Sequence, residues 1–413
     1  MIESVSPAPV RADDVRRHNL ALVVQHVVER GTVSRAELAR LTQLTKGTVS
    51  AHVLELLRLD LLVELGAQAE GRVGRPHTAL ALNGERHCGV GLEINVDYLA
   101  VSVVDLLRRV RFHRVEAIDN RDVSPDIVLD RAAQLVRGAL DAVVADGLAP
   151  AGVAAAVAGT IDQEQGLLLV APNLGWRDVF VAAELTSRLA PLSAPVLVDN
   201  EANLAALGEL WLGIGAECGD YVHVFGEIGV GGGIVVDGSL FRGSHGFAGE
   251  IGHVVVDPNG EACLCGGRGC LERVAGQEAI LGAAGLPSTS ATHLGQAGSP
   301  LGELIALLEG DDPRALAAVQ RAADALGVAL AGVVNVLDPD TVVIGGVYAS
   351  IAPWLAAPLA DRLASQVMAA RTRPVAVRQS ALGPDGAVRG AAALVVDRVL
   401  AAPDSVAAVN GGV

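Results

Sequence analysis

Short apolar stretches alternate with long alanine-rich stretches from His87 onwards. Val153–Val157 is of the first kind, and Asp126–Ala145, with its apolar residues at helical spacing, is of the second. Strands that alternate with helices are typical of an α/β fold. The chain has 413 residues, which predicts two or three domains. Because 51% of the residues are hydrophobic and only 3% are aromatic, we expect a large core built from Ala, Val and Leu.

Charge is distributed unevenly along the chain. The formal net charge is −16, which argues against a protein covered by nucleic acid over its whole surface. Residues 1–86 nevertheless carry 11 Lys and Arg against 10 Asp and Glu, and they include Lys46, the only lysine. The N-terminal part is therefore the electrostatic exception, and a separate role is expected for it.

The sequence predicts a cytoplasmic protein without a membrane partner. Five cysteines are too few for a disulfide framework, and charged residues interrupt the first twenty positions, so no signal peptide is expected. Thr341–Ala360 lacks charged residues, but it contains Gly345, Gly346, Pro353 and Pro358. We predict that it forms a buried strand, a glycine turn and a helix and does not span a membrane.

The first 84 residues have the pattern of a winged helix-turn-helix. Apolar residues at helical spacing run from position 15 to 30 and stop at Gly31. Ser34 and Glu37 form a predicted capping box for a short second helix, and Thr45 is a predicted N-cap for a third. Apolar stretches at 61–65 and 78–82 then flank a basic, glycine-rich segment, which predicts a hairpin.

This N-terminal domain is predicted to bind DNA. Small polar residues on the outward face of the third helix would let it enter the major groove, and Lys46 would meet a phosphate. Arginines at the hairpin tip suit a narrow minor groove. A protein-binding helical module with an ordinary charged loop is the alternative. The predicted DNA-contacting residues are Arg35, Thr45, Lys46, Thr48, Ser50, His52, Arg72 and Arg75.

Polar residues that follow predicted strands and glycines define a second candidate site. In α/β folds, ligand sites gather at strand ends. Amides and carboxylates without a basic cluster favour a polyhydroxylated ligand such as a sugar, although each residue alone could be a helix cap or a surface residue. The candidates are Asn173, Asn200, Glu201, Glu250, His253 and Glu272.

Three cysteines lie within eight residues, at positions 263, 265 and 270, on a turn-rich segment. His253 precedes them by ten residues. A set of Cys263, Cys265, Cys270 and His253 would be a closed, structural zinc site, because catalytic zinc keeps a position open for water. Free thiols in a loop are the alternative. We predict structural Zn²⁺.

Several segments together resemble the ROK family of repressors, open reading frames and sugar kinases. Residues 14–82 resemble the winged-helix domain of its regulators. The segments 229–253 and 263–272 resemble its signature and its zinc motif, and 172–174 and 199–203 resemble its sugar-site segments. The resemblance implies an actin-like (ribonuclease H-like), two-lobed α/β sugar-kinase fold, with sugar in the cleft, and usually dimers. The expected domains are 1–84 for DNA binding, 85–197 as first lobe, completed by a C-terminal helix near 382–403, and 198–381 as second lobe with the zinc site.

The resemblance also implies individual roles. Asn173, Asn200, Glu250, His253 and Glu272 would hold sugar hydroxyls. His253 would use one ring nitrogen for zinc and direct the other towards the sugar, so that the metal fixes the orientation of the ring.

Three departures from the family's kinases all affect phosphoryl transfer. Glu93–Asp97 replaces a glycine-rich phosphate turn (DxGGT), and Asp97 adds a charge of the same sign as phosphate. Glu201 replaces the Asp that serves as the kinases' general base, so its carboxylate is displaced by one methylene. Glu227 lies where kinases commonly have a small hydroxyl residue. These changes predict that the chain is not an enzyme.

The leading hypothesis is a sugar-responsive transcriptional regulator of carbohydrate metabolism, expected to be a repressor. It would bind an inverted-repeat operator as a homodimer or tetramer, and sugar would alter that binding. Residues 93–98 resemble xylose repressors, so xylose is the first effector to try. The alternatives are an ATP-dependent, glucokinase-like sugar kinase with an extra DNA-binding domain, and a DNA-binding protein that responds to a partner protein.

Overall fold

The computed structural model describes residues 11–68, 77–192, 194–287 and 299–406. Three helices and a small three-stranded sheet form the N-terminal domain, in which β3 is the central strand. Ser34 caps the second helix by accepting a hydrogen bond from Glu37 N, as its capping pattern predicts. The elements are α1 (Ala12–Arg30), β1 (Val33–Ser34), α2 (Arg35–Thr42), α3 (Lys46–Arg58), β2 (Leu62–Gln68) and β3 (His77–Leu82).

The first lobe is built on a five-stranded mixed sheet. Its order is β11-β7-β4-β5-β6, with β4, β7 and β11 parallel and β4, β5 and β6 antiparallel. A second, smaller sheet has the order β10-β9-β8. The elements are β4 (His87–Ile94), β5 (Tyr98–Asp105), β6 (Val110–Ala117), α4 (Pro125–Ala145), β7 (Ala149–Val157), β8 (Thr160–Asp162), β9 (Leu167–Ala171), β10 (Trp176–Val179), α5 (Val181–Arg188) and β11 (Val196–Asn200).

The second lobe has another five-stranded mixed sheet, of order β14-β13-β12-β15-β16. Short 3-10 turns lie at Ile251–His253, Met368–Arg371 and Gly383–Asp385. The elements are α6 (Glu201–Leu212), α7 (Gly215–Cys218), β12 (Tyr221–Gly226), β13 (Val230–Val236), β14 (Ser239–Leu240), α8 (Glu272–Ala275), α9 (Gln277–Ala284), α10 (Pro300–Glu309), α11 (Pro313–Leu337), β15 (Thr341–Gly346), α12 (Val347–Ser350), α13 (Ala352–Gln366), β16 (Ala376–Gln379) and α14 (Gly386–Ala401).

The two five-stranded sheets repeat one topology. In each, an antiparallel meander of three strands is followed by two strands that add in parallel on the side of its first strand. The predicted two-lobed α/β fold of sugar kinases, preceded by a winged helix, is thereby confirmed. Because parallel strands end on the same side of a sheet, this arrangement places polar strand ends of both lobes around a common cleft.

Helices α6 and α14 form the tightly packed centre of the molecule. A Cβ atom at Gly390 would lie 1.8 Å from Leu204 O, and one at Gly91 would lie 2.1 Å from Val388 O. Only glycine allows α14 to approach both α6 and the β4 strand so closely. The C-terminal helix therefore packs on the sheet of the first lobe and on α6 at the same time.

The N-terminal domain packs against the lobes through both apolar and polar contacts. Leu20 and Val24 of α1 belong to the same buried cluster as Val399 of α14. The ring Nε2 of His87, the first residue of β4, lies 2.7 Å from Leu59 O at the end of α3. These contacts give the winged helix a defined position on the first lobe.

One ionic cluster holds the segment between the N-terminal domain and β4. Asp105 Oδ2 lies 2.7 Å from Nε of both Arg109 and Arg111, and Asp105 is fully buried. The same two arginines each reach Glu85 at 2.6 Å, and Arg111 also donates to Gly84 O at 2.8 Å. We call these five residues the linker clamp.

In the described part of the chain, α11 is the one helix long and apolar enough to cross a membrane. Of its most apolar window, 61% is buried in the protein, where it packs against α9 and α13. It is therefore a core helix. The uncharged stretch at 341–360 forms the buried β15, the short α12 and the first part of α13, which is the predicted order of strand and helix.

Candidate functional site

A cavity of about 430 Å³ lies in the cleft between the lobes. All six predicted sugar-site residues line it, although they come from four separate segments of the chain. The cavity also has lining residues that the sequence analysis did not propose as ligands, among them Asn95, Thr160 and Arg177. The predicted residues that line it are Asn173, Asn200, Glu201, Glu250, His253 and Glu272.

Asn200 lies at the junction of β11 and α6, where its side chain forms hydrogen bonds with the backbone. Its Oδ1 accepts hydrogen bonds from Ala202 N at 2.9 Å and Asn203 N at 3.2 Å, which caps α6. Its Nδ2 donates to Gly159 O at 2.9 Å, across to the end of β7. An amide has four hydrogen-bonding positions, so one N–H remains for a ligand.

Glu201 is the first residue of α6 and points into the cavity. Its Oε2 accepts a hydrogen bond from Asn95 Nδ2 at 3.3 Å. Burial, together with the neighbouring carboxyls of Glu93 and Asp97, raises the pKa of Glu201 to about 8. At neutral pH this group therefore carries a proton for most of the time, which opposes its use as a general base.

The segment after β4 is the one where the family resemblance leads us to expect a phosphate turn in kinases. Here its side chains form hydrogen bonds with one another and with the backbone. Tyr98 Oη donates to Glu93 Oε1 at 2.6 Å, and Asn95 Oδ1 accepts from Val96 N at 2.6 Å. Asn120 Nδ2 holds Asn95 O at 2.7 Å. Burial raises the pKa of Glu93 to about 7. Residues 93–98 and Asn120 thus form a buried polar network of side chains.

Glu227 follows β12 on the opposite side of the cleft. It is 4% exposed and lines the cavity, and its Oε1 has no hydrogen-bond partner among the described residues. Burial, followed by the nearby Glu93 and Glu201, raises the pKa of Glu227 well above its ordinary range. A triphosphate at this place would meet carboxyl groups from both lobes and no lysine, since the only one, Lys46, is in α3.

The four residues of the predicted zinc site converge. Their donor atoms all lie within 4.8 Å of one another, and no other group of three or more such residues in the described chain does so. His253 Nδ1 is 3.8 Å from Cys263 Sγ, and Cys265 Sγ is 3.7 Å from Cys270 Sγ. A tetrahedral site with metal–sulfur bonds of about 2.3 Å has edges of about 3.8 Å, so the donor set and its spacing fit Zn²⁺.

The loop that carries the thiols is folded tightly around a glycine. Gly269 has φ +70°, and a Cβ there would lie 1.6 Å from Asp257 O. Two short bridges, between Val255 and Cys270 and between Ala262 and Arg268, close the loop. Its conformation depends on these backbone contacts as well as on any metal.

Glu272 and Glu250 connect this cluster to the cavity. Glu272 Oε1 lies 2.9 Å from Cys263 Sγ and 3.7 Å from His253 Nδ1. The other ring nitrogen, His253 Nε2, lies 3.9 Å from Glu250 Oε2. Nδ1 of His253 therefore faces the thiols, while Nε2 faces the side of the cavity where Glu250 lies.

The predicted DNA-contacting residues lie mainly at the N-terminal end of α3. Thr45 caps this helix by accepting a hydrogen bond from Thr48 N at 3.1 Å. Thr45 and Lys46 are exposed, and Thr48 and Ser50 are partly exposed. Arg35, at the start of α2, pairs with Glu64 of β2 at 2.7 Å. Arg72 and Arg75 lie outside the described residues.

The prediction that His52 lies on the outward face of α3 is wrong. His52 is 8% exposed and follows the same helix face as the buried Val49, Val53 and Leu56. Burial lowers the pKa of His52. The helical spacing of these four positions could have revealed this, because residues three and four apart share a face.

Comparisons with known proteins agree with this geometry. The putative xylose repressor of Caldicellulosiruptor sp. (strain Rt8B.4) is 29% identical over 398 residues, 95% of this chain and 98% of its own. The match to the crystal structure of a ROK family transcriptional regulator, a homologue of the E. coli MLC protein, spans 96% of this chain and 99% of that chain. Its TM-score is 0.78 and its sequence identity is 26%. The match to the crystal structure of a ROK family glucokinase from Streptomyces griseus, in complex with glucose and AMPPNP, spans 74% of this chain and 98% of that chain. Its TM-score is 0.64 and its sequence identity is 29%. The ROK family model matches residues 89–398, and the chain therefore belongs to the ROK family.

Proposed function

We propose that this chain is a sugar-responsive, DNA-binding transcriptional repressor of carbohydrate metabolism. The observation that carries the proposal is the pairing of a winged helix with a sugar-kinase cleft whose phosphate side is occupied by Glu93, Glu201 and Glu227. Relatives that match over almost the full length, such as the xylose repressor above, support it, whereas the glucokinase matches a smaller share of the chain.

DNA would be bound through the N-terminal end of α3. Lys46 and the helix N-terminus would contact phosphates, while the small side chains of Thr48 and Ser50 would let the helix approach base edges. A homodimer, or a tetramer built from two dimers, would place two such helices on the half-sites of an inverted repeat.

The sugar would lie in the cavity, held by amide and carboxylate groups from both lobes. Asn173, Asn200, Glu250, His253 and Glu272 would bind its hydroxyls, and Glu201 lies within the same wall. Xylose or another monosaccharide is the expected class. A kinase with an extra DNA-binding domain is the competing function, and the protonated state of Glu201 and the absence of a phosphate turn oppose it.

Helix α6 would connect the cavity to the segment that holds the DNA-binding domain. Its N-terminus carries Asn200 and Glu201 in the cavity wall, and at its other end Trp211 O accepts a hydrogen bond from Arg108 at 2.5 Å. Arg108 lies in the turn between β5 and β6, directly before Arg109 of the linker clamp. A sugar that moves one lobe relative to the other would thus act on the segment that holds the winged helix.

The cluster of His253, Cys263, Cys265 and Cys270 would hold a structural Zn²⁺. Bound zinc would keep the thiols deprotonated and supply the cross-link that holds this loop. His253 would in this way be fixed with its Nε2 towards the cavity wall, and Glu272, which contacts both Cys263 and His253, would be oriented together with it.

We predict that Lys46→Ala weakens DNA binding about equally for all sequences. A contact to phosphate carries no base information, so the slope of log affinity against log salt should fall by about one. The measurement is fluorescence anisotropy at several salt concentrations, with a duplex selected from a random library by the wild-type protein. Arg58→Ala, an exposed cation at the other end of α3, is the control and should change neither quantity. Equal slopes for wild type and Lys46→Ala would contradict the docking mode.

We predict that Glu85→Ala uncouples sugar from DNA. The variant removes the ion pairs of Arg109 and Arg111 with Glu85, keeps their bonds to Gly84 O and leaves the cavity intact, so sugar affinity should be unchanged while the sugar-induced loss of DNA binding shrinks several-fold. Sugar affinity is measured by calorimetry and DNA release by anisotropy with xylose, glucose and other monosaccharides. The control is Glu116→Ala, which removes an exposed carboxylate that pairs with Arg114 on the neighbouring β6. If no sugar alters DNA binding of the wild type, the sensor function is refuted.

We predict that Cys265→Ser lowers both zinc content and sugar affinity. Loss of one thiolate opens the site, and His253 then loses its fixed orientation, so bound zinc should fall from about one per chain and sugar affinity by about tenfold. Zinc is measured by mass spectrometry of the dialysed protein, and affinity by calorimetry. Cys218→Ser is the control, since its Sγ donates to Ile214 O at 3.2 Å, far along the chain from the cluster. A zinc-free wild type with full sugar affinity would refute the proposed role.

A further inference from the structure

Buried carboxyl groups gather near one end of the cavity. Glu93, Asp97 and Glu227 are 1%, 2% and 4% exposed, and Glu201 lies between them at the start of α6. We call these four residues the acidic end of the cleft. After burial itself, the largest influence on Glu201 and Glu227 comes from the other members of this group. The buried carboxyl groups of Glu201 and Glu227 therefore favour a partner that brings a positive charge.

Two oxygens of this group, Glu93 Oε2 and Glu227 Oε1, have no hydrogen-bond partner among the described residues, and of these two residues only Glu227 lines the cavity. Glu93 Oε1 accepts from Tyr98 Oη at 2.6 Å, and Glu201 Oε2 accepts from Asn95 Nδ2 at 3.3 Å. Glu227 Oε1, in contrast, has no hydrogen-bond partner in the described ranges, although Glu227 is buried and lines the cavity. An unpaired buried acceptor costs free energy, and a ligand that donates a hydrogen bond to it would recover that cost.

The whole lining of the cavity favours a positive ligand. Four glutamates line it, at positions 201, 227, 250 and 272, against one arginine, Arg177, and one histidine, His253. Arg177 lies in β10, where it pairs with Val170 of β9. A positive ligand favours the ionised form of these carboxyl groups, whereas a phosphate would be repelled by it.

The shape of the acidic end argues for an ammonium group and against a bare metal ion. In the described chain, only the His253 and cysteine cluster brings three or more donor atoms within 4.8 Å of one another. The carboxyl groups of Glu93, Asp97, Glu201 and Glu227 are thus too far apart to enclose a divalent ion as ligands. A protonated amine, in contrast, donates up to three separate hydrogen bonds and can bridge more widely spaced acceptors.

We propose that the effector is an aminated monosaccharide whose protonated amine is received by Glu201 and Glu227, while its hydroxyls meet the amides and carboxylates of the remaining wall. This inference rests on the proposed function of the cleft as a sugar site. The ammonium would give Glu227 Oε1 its missing donor. It would also convert Glu201 and Glu227 to carboxylates, so that binding releases protons to solvent.

The test is isothermal titration calorimetry with the full chain. Glucosamine, mannosamine and galactosamine are each titrated beside the neutral parent sugar and beside xylose, in two buffers of different ionisation enthalpy. At least one amino sugar should bind about tenfold or more tightly than its parent, with heats that reveal proton release. In Glu227→Gln that preference should fall by about tenfold, whereas Glu164→Gln, an exposed carboxylate outside the cleft, should retain it.

The possible failures are distinguishable. If neutral sugars bind as tightly as amino sugars, or if Glu227→Gln keeps the preference, the inference is overturned and the sugar sensor stands. Magnesium chloride that binds the wild type but not Glu227→Gln, and competes with the amino sugar, would overturn it in favour of a metal site. If no sugar of either kind binds, both the inference and the proposed function are refuted.

Discussion

Mutual repulsion among buried carboxyl groups is the main physical constraint on what the cleft of this protein can bind. A cleft between two lobes can serve phosphoryl transfer only if one side stabilises the negative charge of a nucleotide. Here Glu93, Glu201 and Glu227 occupy that side, and burial and proximity keep them from ionising freely. The amide groups of Asn173 and Asn200 in the cavity wall are able to hold hydroxyl groups. The proposed function therefore assigns sugar recognition to the amide groups of the cavity and no nucleotide chemistry to its acidic end.

The second determinant is the close packing of α6 on α14. Glycines at the contact bring the backbones of the two helices and of the first sheet close together, so that they form one tightly packed body. This body has the cavity at one end, and at its other end it contacts α1 and the turn that leads to the linker clamp. The winged helix is therefore attached to the part of the molecule that a ligand contacts. Attachment of this kind is what the proposed sensor function requires.

Local signals made parts of this structure predictable. Ser34 and Thr45 cap helices through hydrogen bonds within three residues, and the cysteine spacing at 263–270 confines the metal cluster to one loop. The cavity residues come from distant segments, and they were identified through strand ends and the family resemblance. His52 was misplaced because its polarity was weighed above its helical phase. Thr160 and Arg177 were not predicted, because they reach the cavity through the small sheet β10-β9-β8, whose short strands show no clear periodicity in the sequence. The linker clamp joins residues more than twenty positions apart, and such pairs have no signature in a single sequence.

The claim that the nucleotide half of the cleft is inactive is tested most directly by an assay of ADP formation. The full chain is incubated with ATP, magnesium and a panel of neutral and amino sugars, and ADP is detected through a coupled reaction, with a sugar kinase as positive control. The account predicts no ADP above the background without sugar, whichever sugar is supplied. Turnover of about one per second or faster with any of them would contradict it and identify a working kinase.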